Sequence, residues 1–156
     1  MSVYCHPHDR EGRALEVALA VAADYANVTN DGKLNVMGIF QQVNPTQFPM
    51  ALPQMFLVVA FEAGPAEIGT QKDVRIIFMD DDGEHKLMLD LQLVVPEPVR
   101  PGSPAYFNQI VGLGGLPLEK SGDHAFFILI GGEERGRVTL HVNEPPAEDS
   151  KGDSDA

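Results

Sequence analysis

Two short stretches gather residue types that could do chemistry. "CHPHD" (5–9) sets Cys5, His6, His8 and Asp9 almost side by side, and each can ligate a soft or borderline metal. "DDDGE" (80–84) sets Asp80, Asp81 and Asp82 in a row ahead of Gly83 and Glu84. These are the hard oxygen donors that Ca²⁺ takes. Each pattern is incomplete. A structural zinc site needs a second pair of ligands held elsewhere by the fold. The other histidines, His85, His124 and His141, stand singly in strand-like sequence, and a loose cluster lacks the preorganisation that gives affinity. "DDDGE" lacks the longer ligand spacing and the distal Glu of an EF-hand, and its Asp-Gly step suits an acidic hairpin tip. Asp80, Asp81 and Asp82 are the candidate metal ligands, weighed against that plainer turn.

Nucleophilic chemistry has no visible frame. The single cysteine, Cys5, lies in a polar stretch without periodicity, and no Cys-His pair can be held rigid there. Ser2, Ser103, Ser121, Ser150 and Ser154 fall in arms or loops with no elbow context. "GLGGLP" (112–117) has three glycines but fits no phosphate-loop pattern and precedes no helix; it reads as a bend at a strand end. The expectation is a protein that is not an enzyme and carries no cofactor.

Charge narrows the partners. The 156 residues carry a formal net charge of -12, with only 11 Lys and Arg. No basic cluster exists to neutralise phosphates, so neither nucleic acid nor an anionic membrane is an expected partner. No run is long and apolar enough for a membrane helix. "ALEVALAVAAD" (14–24) loosely resembles a signal peptide, but Glu16 interrupts it and Asp9 and Glu11 spoil the basic flank. One cysteine permits no internal disulfide and fits a reducing compartment, so a cytoplasmic location is the expectation.

The elements that must position any site are strands. "KLMLDLQLVV" (86–95) puts Leu87, Leu89, Leu91, Leu93 and Val95 on one face and Lys86, Asp90 and Gln92 on the other. "DVRIIFMD" (73–80) and "RVTLHV" (137–142) alternate likewise. "QMFLVVAFEA" (54–63) and "HAFFILIG" (124–131) are apolar on both faces, as central covered strands are. "AYFNQIVGL" (105–113) is a weaker strand. Thr29-Asn30-Asp31-Gly32, Asp80-Asp81-Asp82-Gly83 and Gly131-Gly132-Glu133-Glu134 supply hairpin turns. "NPTQFPMALP" (44–53) and "VPEPVRPGSP" (95–104) read as crossings between sheets. The periodicity predicts an all-β fold, a single-domain antiparallel β-sandwich of about eight strands, immunoglobulin-like or jelly-roll-like. Its body spans 14–142, between a flexible arm (1–13) and a disordered acidic tail (143–156). A helix over 14–24 is the rival, opposed by the β-branched residues and the hairpin signal. His124 stands where a sandwich step into an inner strand can carry a corner Tyr, and reads as a partly buried hydrogen-bonding residue.

The first hairpin is apolar on both faces. Ala18, Ala20 and Ala22 oppose Leu15, Val17, Leu19 and Val21, while Met37 and Ile39 oppose Leu34, Val36 and Phe40. A sheet facing water shows one polar face, so the outer face is expected to be covered by another protein, a second copy or the Pro-rich links, with Ala18, Ala20, Ala22, Met37 and Ile39 as the candidate interface. The stretches "ADYANVTNDGKLNVMGIF", "FPMALPQMFLVVAFEAGPAEIG" and "FNQIVGL…LPLEKSGDHAFFILIGGEERGRVTLHV" together resemble a family of small bacterial proteins classed as a domain of unknown function. The resemblance covers about 14–142. It implies a single β-rich domain and brings no activity, cofactor or site residue. The expected function is a structural or protein-interaction module. The alternative is a module that binds Ca²⁺ or a small ligand through its acidic loops.

Overall fold

The computed structural model describes residues 14–147. The "CHPHD" cluster and the arm at 1–13 lie outside the described residues, as do positions 148–156 of the acidic tail. Eight full-length strands carry the fold: β1 (Glu16–Val28), β2 (Leu34–Phe40), β5 (Met55–Ala63), β6 (Gln71–Met79), β7 (His85–Val94), β8 (Ala105–Leu113), β10 (Gly122–Ile130) and β11 (Glu133–Val142). Three two-residue strands, β3 (Gln42–Val43), β4 (Met50–Ala51) and β9 (Pro117–Leu118), trim the edges.

One sheet has the order β2-β1-β5-β8 and the other β3-β11-β10-β6-β7. Their inner faces share one core. Leu57, Val59 and Phe61 of the first sheet meet Ile76, Phe78, Phe126 and Ile128 of the second, which makes the molecule a β-sandwich. Leu87, Leu89, Leu91 and Leu93 pack inward from β7 as their alternation requires. β5 and β10, the runs apolar on both faces, are internal strands. The rival helix over 14–24 does not form: β1 runs as strand from Glu16.

The three hairpin turns form where the Asp-Gly and Gly-Gly steps lie. Gly32 and Gly83 have φ of +86° and +80°, which tight hairpin turns demand. Both Pro-rich links cross between sheets, from β3 to β5 and from β7 to β8. β1 lies inside its sheet, whereas an immunoglobulin sandwich keeps its first strand at an edge. β2 leaves the first sheet at Gln41 and continues as β3, which pairs parallel with β11 in the second. The body also reaches past 142. The Asn143 backbone N–H donates to the Val43 carbonyl (2.9 Å), and Ser121 Oγ donates to Glu144 (3.1 Å). The tail expected from 143 is therefore docked at its first two residues, because β3 and the β9–β10 link offer them partners.

Candidate functional site

The polar centre of the first hairpin is a turn. Gly32 N–H donates to the Thr29 carbonyl, and Thr29 N–H to the Lys33 carbonyl. The Thr29 hydroxyl donates to Asp31, whose carboxyl is lowered below its ordinary value by that bond and by Lys33.

Asp80, Asp81 and Asp82 do converge. One oxygen from each lies within 4.8 Å of the others. The turn between β6 and β7 explains why. Asp80 Oδ1 accepts the backbone N–H groups of Asp82 (3.0 Å) and Glu84 (2.9 Å), closing an Asx-type turn around Gly83. The Lys120 ammonium, from the link into β10, already sits among the three carboxylates. It lies 2.8 Å from Asp81 and 3.9 Å from Asp80, and hydrogen-bonds Asp82. Lys86 closes the other side, 3.3 Å from both Glu84 and Glu119 and 4.0 Å from Asp80. Burial pushes the Asp80 carboxyl up, but the Glu84 N–H, Lys120, the Asp82 N–H and Lys86 together hold it below the ordinary carboxylate value. Asp81 is lowered chiefly by its bond to Lys120, and Lys120 is raised by its bonds to Asp81 and Asp82. A Ca²⁺ ion would take the place of this ammonium. Sequence reading found the three acids and set Lys86 on the polar face of its strand, but missed Lys120, which lies 38 positions from Asp82 along the chain.

His124 is buried within the core, 1% exposed. Its Nδ1 lies 3.2 Å from the Gly122 carbonyl, and its ring stacks on Phe78 with centroids 5.7 Å apart. It is a packed, hydrogen-bonded histidine, as its place in the step into β10 suggested.

The proposed interface set divides between two faces. Ala22 pairs with Phe40, and both belong to the core, as does Ala20. Ala23 pairs with Ile39 and Tyr25 with Met37, one residue out of phase and so on the opposite face. Ala20 and Ala22 thus point inward, while Met37 and Ile39 point away. Ala18 lies in a bulge between Val17 and Leu19. The bulge is the physical reason for the correction. Before it the inward residues are Leu15 and Val17; after it they are Ala20 and Ala22. An extra residue flips every later side chain to the other face.

Tyr25, Met37 and Ile39 are exposed by 48%, 65% and 47%. Tyr25 meets Phe56 edge-on, centroids 5.7 Å apart. Behind them a second apolar cluster is built on Val21 and Val58, with Leu19, Phe56 and Ile110 against it. Val21, Ala23 and Val58 are almost fully covered. The face away from the core is therefore apolar at its centre, with exposed apolar side chains at the first hairpin and at Tyr106 of β8.

Residues 18–143 match the family model of DUF6941, a family of unknown function. The chain belongs to that family. The DUF6941 match runs from the bulge of β1 to the first residue after β11, all of the sandwich but the first two residues of β1. No curated protein sequence matches the chain. Among solved structures, it is similar to Pseudomonas fluorescens alkylpurine DNA glycosylase AlkC bound to DNA containing an abasic site analog. That likeness has 12% identity and a TM-score of 0.38, over 80% of this chain and 30% of the glycosylase chain. At that score it carries no argument. Among the described residues, no helix is long and apolar enough to cross a membrane.

Proposed function

We propose that this DUF6941 sandwich is a non-enzymatic protein-interaction module that docks through the outer face of its first hairpin. The observation that carries the reading is the patch of Tyr25, Met37 and Ile39, exposed on one face beside the edge strand β2. A contiguous apolar patch of this kind marks an interaction surface. β2, "LNVMGIF", has no charged residue, although edge strands that avoid pairing are usually guarded by charge. Light scattering on a sizing column gives the solution mass of the full chain and shows whether a second copy covers the face. The double variant Met37→Glu, Ile39→Lys is expected to lose self-association, or the capture of a defined partner, while keeping its melting temperature. If that variant assembles and binds as the unaltered chain does, the reading fails.

A second reading, a Ca²⁺ module, draws on the convergence of Asp80, Asp81 and Asp82. It is the weaker, since Lys120 supplies the cation. Flat calorimetry with millimolar Ca²⁺ would dismiss it.

A further inference from the structure

A cleft opens at the end of the sandwich where β2 leaves the first sheet for the second. It measures about 330 Å³ and is lined by Phe40, Val43, Met50, Leu52, Pro53 and Met55, with Gln42, Asn44 and Gln54 among them. One charged side chain reaches it, Asp24 of β1. Three features single out this carboxylate. Asp24 stands at the next alternate position of β1 after Ala22, which packs in the core, and its side chain is exposed at the mouth of the cleft. No lysine or arginine lines the cleft, and among the described residues Asp24 makes no hydrogen bond or ion pair. Its place is also made by its neighbour. Gly38, across the hairpin, has φ +69°, and a Cβ there would collide with the Asp24 carboxylate. The carboxylate occupies the space that a side chain at 38 would fill. Two of the amides are fixed, since Asn143 Nδ2 donates to Asn44 (2.8 Å) and to Gln42 (3.4 Å).

We propose that this cleft is a binding site for an alkylguanidinium or alkylammonium group, with Asp24 as its counter-charge and the apolar walls holding its stem. The volume falls at the lower end of the roughly 300–1,000 Å³ of small-ligand sites. A basic head on an aliphatic stem has that amphipathic form. A carboxylate among apolar walls and neutral amides selects a cation, and a guanidinium can take it by two parallel hydrogen bonds. The excess negative charge of the chain raises the local concentration of such a ligand. The shared chemistry has two sources, an arginine or lysine side chain of a partner or a free amine.

The test is a titration of the full chain with n-butylguanidinium, followed by amide chemical shifts, with n-butylurea as the neutral isostere. A blocked peptide with one arginine between two leucines forms the second arm. Shifts are expected at Asp24, Gly38, Phe40, Gln42 and Gln54, with n-butylurea at least about tenfold weaker. Asp24→Asn is expected to lose the preference for guanidinium while melting as the unaltered chain does. Tighter binding of the peptide assigns the site to a partner's side chain, and tighter binding of the free guanidinium to a small amine. Equal binding of n-butylurea, or shifts absent from these residues at tens of millimolar probe, would overturn the proposal. The comparison of guanidinium with urea on the unaltered chain needs no variant, so a misfolded Asp24→Asn cannot mask the answer.

Discussion

Lys120 decides what the aspartate turn can do. Three carboxylates this close repel one another, and its ammonium supplies the positive charge that lets them share a site. Lys120→Gln removes that charge while keeping most of the stem. The variant is expected to melt at a lower temperature and to regain stability with millimolar Ca²⁺, while the unaltered chain shows no gain from Ca²⁺. Thermal melts with and without the ion read both. The titration of the cluster has a definite sign. Asp81 is held below its ordinary 3.8, chiefly by its bond to Lys120. Its contribution is complete above 3.8 and is lost as pH falls through the lower folded value. Lys120 is raised above 10.5, so its contribution is complete below 10.5 and is lost as pH rises through the higher folded value. Melting temperature against pH should show no loss from this cluster across neutrality, with declines only at the two extremes. In Lys120→Gln the alkaline decline from this residue should vanish and the acid decline from Asp81 should shrink, because its folded value moves back toward the unfolded one.

The first hairpin shows how elements can outrun their sequence pattern. Its strand character, its turn and the pairing of β1 with β2 were legible, because alternation and Asp-Gly chemistry are local signals. Which face each residue takes was not. The bulge at Ala18 costs nothing in composition, yet it moves the inward phase from Leu15 and Val17 to Ala20 and Ala22. A strand read without the bulge looks apolar on both faces. The strand order was illegible for a related reason, since only the fold brings Lys120 to Asp81 or Asn143 to Gln42. At this scale Gly38 is the most sensitive position. A side chain there must adopt a φ near +69° and meet the Asp24 carboxylate. Gly38→Ala is expected to cost about 1–3 kcal/mol from the backbone conformation alone, plus the collision. In an Asp24→Ala background the same change should cost less, by at least about 0.5 kcal/mol, since residues in contact couple. Urea unfolding of the four chains measures that difference. Equal costs in both backgrounds would separate the two residues.

Over the whole molecule, two electrostatic effects oppose each other when salt is added. Salt weakens the surface pairs of Arg75 with Asp90, Lys33 with Asp31, Arg135 with Glu133 and Arg137 with Glu134. It also screens the mutual repulsion of a chain with net charge -12. The pairs are solvent-exposed, the class whose measured contributions are small and often nil. The repulsion is carried by an acid excess of 23 Asp and Glu over 11 Lys and Arg in the whole chain, most of it within the sandwich, whose compact state brings those charges together. Screening of the excess should therefore win. The melting temperature is expected to rise as NaCl goes from about 20 to about 300 mM, a span over which the screening length falls from about 20 Å to about 6 Å. Distant repulsion feels that change most, and contact pairs least. Guanidinium chloride would confuse the result, because its cation could enter the Asp24 cleft, so urea and heat are the proper denaturants. A melting temperature that falls with NaCl would mean that the pairs outweigh the excess, and that the Lys86 and Lys120 networks hold more of the fold than their exposure suggests.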